Sequence, residues 1–83
     1  MEDLKELVAE ANEEALLADG FDNALIGYVE RAGGPAVALY DKEECIQILM
    51  KDMSEEEAEE YFYYNVVGAY VGENTPMFAT INK

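Results

Sequence analysis

Apolar residues recur three and four positions apart at the start of the chain. Leu4, Leu7, Val8, Ala11, Ala15 and Ala18 form a stripe that predicts a helix over residues 3–18, with Glu6, Glu10 and Glu13 facing away from it. Asp19-Gly20 reads as its stop, and Phe21 is placed to fold back onto Leu16 or Leu17. The pattern then changes. Residues 24–30 and 35–40 are short strand-like runs parted by Arg31-Ala32-Gly33-Gly34, which reads as a hairpin. Asp41 caps a second helix running to about residue 51, with Glu44 at the capping-box position and Cys45, Ile46, Leu49 and Met53 inward.

A third helix starts at Ser54. Ser54 and Glu57 have the spacing of a capping box, and Glu55, Glu56 and Glu57 sit where the helix dipole favours carboxylates. At about 100° per residue, Ala58, Phe62, Asn65, Val66 and Ala69 gather on one side, while Glu56, Glu60, Tyr63, Val67 and Val71 gather on the other. Asn65, on the inner side, is expected to satisfy a nearby backbone group. The second side is acidic in its first turn and apolar afterwards. The far half of the helix is therefore apolar nearly all round and needs cover on more than one face. Tyr63, Tyr64, Val67 and Val71 either pack under another element of the same subunit or form a contact with another chain. Gly68 and Gly72 read as a close-packing position and a helix stop, residues 73–76 as a turn, and residues 77–81 as a last strand.

The order helix, strand, strand, helix, helix, strand predicts an α+β fold, with a small antiparallel three-stranded sheet and helices packed on one face. Its 83 residues make one domain, 1–83, with a core small enough that association is a plausible source of further burial. The open face and edge strands would be available to a second subunit.

Charge sharpens the picture. Nineteen acidic residues against five basic ones give a net charge of −14, while 51% of the residues are hydrophobic, so the charge belongs on the outside of a folded body. Such a surface repels nucleic acid and anionic membranes and attracts basic partners. No segment has the length of a membrane-spanning helix, and residues 1–10 lack the basic start and apolar run of a signal peptide, so a cytoplasmic location is expected.

Candidate chemistry is sparse. There is no histidine and a single cysteine, Cys45, which excludes the usual Cys/His zinc sites and the commonest general base. Cys45 reads as a buried, inert thiol. Gly33-Gly34-Pro35 lacks the lysine and following helix of a phosphate loop, and the glutamates lack the ligand spacing of a calcium loop. Asp22 and Asp41 are the one carboxylate pair worth weighing for acid–base work, yet they read as a turn residue and a cap. Neither catalysis nor a cofactor is expected.

Three stretches carry a resemblance: an FDxAxxG start at residues 21–27, a YD before IxILM at residues 40–50, and an MSxEEAxExFxxNVxGAYVGExTPxF block at residues 53–78. They resemble a family of small acidic proteins carried by bacteriophages and prophages, over about 60 residues that leave out the first helix. The resemblance implies a phage setting and the host-cell cytoplasm, and it supplies no activity, substrate or catalytic residue.

The functional expectation is a protein–protein interaction module, homodimeric, with a basic host or viral protein as a further partner and no direct binding of nucleic acid. Two surfaces qualify: the aromatic group Tyr63, Tyr64, Val67 and Val71, and the acidic stripe Glu55, Glu56, Glu59 and Glu60. Helical glutamates at about 1.5 Å rise per residue approach the charge density of duplex DNA, about one charge per 1.7 Å, so the alternative is a nucleic-acid mimic that blocks a host DNA- or RNA-binding protein or nuclease. Glu6, Glu10, Glu13 and Glu14 form a second stripe of the same kind.

Overall fold

The computed structural model describes residues 3–30, 32–69 and 72–82. It is an α+β arrangement of α1 (Leu4–Ala11), β1 (Leu25–Val29), β2 (Val37–Asp41), α2 (Lys42–Leu49), α3 (Glu55–Tyr61) and β3 (Met77–Ala79), with the sheet in the order β1-β2-β3.

The sheet is mixed, which corrects the antiparallel expectation. β1 and β2 form the antiparallel hairpin, but β3 runs parallel to β2, pairing Met77, Phe78 and Ala79 with Leu39, Tyr40 and Asp41. The reason is the path between them. A parallel neighbour needs a crossover of a dozen residues or more, and residues 42–76, carrying α2 and α3, supply it. The hairpin register shifts between Leu25 and Gly27, which oppose the consecutive residues Tyr40 and Leu39, so Ile26 is the extra residue of a bulge and lies exposed.

The first helix ends at Ala11, seven residues before the sequence pattern suggests. Its apolar stripe continues, but tertiary hydrogen bonds take over from the helix. Asn12 leaves the helical conformation, and its amide nitrogen donates to the Ala36 carbonyl and to Asn74 Oδ1, both at 2.9 Å, while its Oδ1 accepts from the Glu14 N–H. Farther along, the Leu16 N–H donates to the Asn74 carbonyl and the Ala18 N–H to the Tyr40 hydroxyl at 2.8 Å. The irregular segment therefore finds partners for its backbone without helical bonds. Ala18 and Phe21 are still buried, and Leu17 packs against the core, whereas Leu16 and Leu4 are exposed. Gly20, at φ 90°, turns the chain into the single helical turn 22–24 that leads into β1, a conformation costly for any residue with a Cβ.

Both expected caps form. Asp41 ends β2 and begins α2, its Oδ1 accepting from the Glu43 N–H at 3.0 Å. The capping box at Ser54 is complete: Ser54 Oγ accepts from the Glu57 N–H at 3.2 Å, and Glu57 Oε1 accepts from the Ser54 N–H at 3.3 Å. Ser54→Ala is expected to lower stability by about 1 kcal/mol, read as a shift of the urea midpoint with unchanged slope. An unshifted midpoint would mean that the box is idle.

The core gathers Val8 of α1, Cys45 and Ile46 of α2, Ala58 of α3, and Phe62 and Val66 beyond it, together with Ala38 and Tyr40 of β2. Tyr40 stacks on Phe78 with ring centroids 5.5 Å apart, and Phe62 meets Phe78 edge-on at 5.1 Å. Phe78 thus joins Tyr40 of β2 to Phe62 of the helical crossover.

Candidate functional site

The turns beyond α3 decide which side chains reach the surface. The helix widens into a π-turn over Phe62–Val66 and then tightens into a 3-10 turn over Val67–Ala69. A wider turn advances each residue by a smaller angle, so positions four apart stay aligned. Ala58, Phe62 and Val66 accordingly share the buried face. The smaller advance turns Asn65 away from that face, and Asn65 and Ala69 are both exposed, which corrects their assignment to the inner side. Gly68 has a packing reason: a Cβ there would lie 3.3 Å from the Tyr63 carbonyl oxygen, at the crowded junction of the two turns.

The aromatic residues that needed cover find little of it within the chain. Tyr64 is 81% exposed, Tyr63 50% and Val67 39%, and Tyr61 is exposed as well. Val71 lies outside the described residues. Glu55, Glu56, Glu59 and Glu60 are all exposed on α3, so the acidic stripe faces solvent. Of the five basic residues, Lys5 pairs with Asp22 at 2.7 Å, which raises its pKa through that hydrogen bond and charge, and Lys42 holds its Nζ 5.0 Å from the centre of the Tyr63 ring.

Two separate grooves open beside residues 61–67, with no lining residue in common. In one, Tyr63, Val67, Met77, Phe78 and Lys42 line an open space between the π-turn and β3, with no carboxylate among the described residues of its wall. The other runs past Tyr61 and Asn65, and its lining includes Asp19, Asp52, Glu57 and Glu60. One helical segment therefore contributes to an apolar groove that holds Lys42 and to an acidic one. The sequence singled out Tyr63 and Tyr64 but left open whether they pack within the chain, and it missed the acidic groove, because Asp19 and Asp52 arrive from segments outside α3.

The candidates for chemistry are engaged elsewhere. Asp22 is paired with Lys5 and Asp41 caps α2, so each has a structural partner of its own. Among the described residues no group of three or more acidic or thiol side chains converges as a metal site. Cys45 is buried, and burial, with the Asp41 and Glu44 carboxylates adding to it, pushes the thiol up to about 12. The unfolded thiol ionises near pH 9 and the folded one only near 12, so this group's contribution to stability is full below pH 9 and is lost as pH rises towards 12. Native protein at pH 8 is expected to resist a thiol-labelling reagent that modifies it promptly in denaturant. Equal rates in the two states would contradict a closed site.

Among the described residues no helix is long and apolar enough to cross a membrane. Compared with protein-family models, curated proteins and solved structures, the chain matches none of them.

Proposed function

We propose that this chain is a small acidic phage-type protein that works by protein–protein contact as a homodimer, without catalysis. The observation that carries the reading is the exposed apolar side built from Tyr63, Val67 and Met77, which continues into the groove floored by Phe62 and Phe78. A contiguous exposed patch of this kind is the usual mark of an interaction surface. Charge supports a second copy as its occupant. Two chains of −14 repel each other, and the lining of this groove holds Lys42 and no carboxylate, although Glu43, Glu55 and Glu59 lie beyond Lys42, so it offers a second copy an apolar contact without a carboxylate in the groove itself.

Sedimentation velocity at micromolar concentration is expected to show a dimer. Val67→Glu should shift it to monomer, because a charge buried without a partner costs several kcal/mol in effect, about 3–5 when a pair is broken. Glu56→Lys, on the exposed stripe, should leave it dimeric. A parent protein that sediments only as monomer would remove the dimer.

The second reading, occupation of the nucleic-acid channel of a host protein, is supported by the exposure of Glu55, Glu56, Glu59 and Glu60 along one helix. It requires those four carboxylates, and a variant with all four changed to glutamine that still blocked such a protein would exclude it.

A further inference from the structure

We propose that the acidic groove is a docking site for a basic amphipathic peptide segment of another protein. The inference rests on the interaction reading only in treating the chain as a binding protein, and it uses a groove that shares no lining residue with the one at the proposed dimer contact.

Two adjoining hollows of about 360 and 320 Å³ share Met53, Tyr61 and Asn65, the first bounded by Glu57, Glu60 and Tyr64, the second by Asp19, Asp52, Phe21 and Leu49. Each is near the lower end of small-ligand pockets and open to solvent, which suits side chains projecting from a partner better than an enclosed small molecule. Its chemistry has two parts. The floor, with Phe21, Leu49, Met53 and Val66, offers apolar contact. The rim carries four carboxylates, and no lysine or arginine among the described residues lines it.

Charge complementarity selects the occupant. A second copy of a chain with net charge −14 would bring more acid to an acidic rim, so self-association is the disfavoured way of filling it. A segment with lysine or arginine spaced among apolar residues meets both parts at once. Its cations reach the rim carboxylates and the faces of Tyr61 and Tyr64, and its apolar side chains reach the floor. The chain already holds one such cation–ring contact, Lys42 against Tyr63, in the other groove.

The test uses a short fluorescein-labelled peptide alternating arginine and leucine, followed by anisotropy and by backbone amide shifts of the full chain. Asp52→Asn combined with Glu60→Gln is expected to weaken binding at least about tenfold, whereas Glu10→Gln on α1 with Glu13→Gln in the turn after it, an equal change of charge away from the groove, should leave it within about twofold. Replacing the peptide's leucines with serine should weaken it comparably to the groove variant, and the shifts should centre on Met53, Tyr61 and Asn65. Equal losses in the two double variants would reduce the binding to diffuse attraction and overturn the proposal. So would shifts centred on Tyr63, Val67 and Met77, or no binding at low salt. Loss of groove binding leaves the dimer to sedimentation, which decides it separately.

Discussion

Phe62→Ala is expected to cost about 3–5 kcal/mol, the range for truncating a buried aromatic side chain. Phe62 is 0% exposed and meets Phe78 edge-on at 5.1 Å and Tyr63 at 5.4 Å. For 83 residues the total stability of a folded domain is about 4–12 kcal/mol, so this one change removes much or all of it. The loss has two sources, the transfer of the ring from the core and the cavity left between the π-turn and β3. Urea unfolding followed by circular dichroism reads it directly. Phe62→Leu, which refills part of the space, should recover a substantial share. A midpoint unmoved by the alanine change would show that the ring is not packed between the crossover and the parallel strand.

The second large effect is expected at Tyr40, through a single atom. Tyr40 is 1% exposed, and its hydroxyl accepts the buried Ala18 N–H at 2.8 Å. Tyr40→Phe keeps the ring and its stacking on Phe78 but leaves that N–H without its acceptor, which costs about 1–3 kcal/mol. The irregular segment after α1 should loosen first, seen as faster hydrogen exchange at Ala18 than at the core amides of β2. Unchanged exchange there, with an unchanged unfolding midpoint, would contradict the role given to the hydroxyl.

What could be read in the sequence was what is decided locally. The capping box at Ser54, the Asp41 cap, the glycine-containing hairpin and the run of tyrosines each depend on residues within a turn or two of one another. What could not be read depends on distant partners. Asn12 ends α1 by bonding Ala36 and Asn74, 24 and 62 positions away, and the only local hint is a cap-favouring residue inside an apolar stripe. The direction of β3 depends on where the crossover delivers the chain, which alternation within three residues does not encode. A constant α-helical advance puts Asn65 on the inner side, and nothing in Phe62–Val66 announces the π-turn that moves it. The acidic groove is invisible in the sequence for a related reason: Asp19 and Asp52 acquire their neighbours only in the folded state.

The parallel pairing of β2 with β3 also governs how the molecule is assembled. Loop-closure entropy grows slowly with length, about 0.6 kcal/mol per doubling, so the long excursion through residues 42–76 is not itself a large thermodynamic burden. Its effect falls on kinetics. Tyr40, Phe62 and Phe78 are far apart along the chain, and Tyr40 and Phe62 meet Phe78 only after the crossover has returned, so the contacts that close the core reward the chain late. The hairpin and capped helices can form early as local, fraying structure, but the seal between them comes from β3. The pairing with β2 and the ring contacts of Phe78 are thus the last parts of the core for which the chain supplies residues.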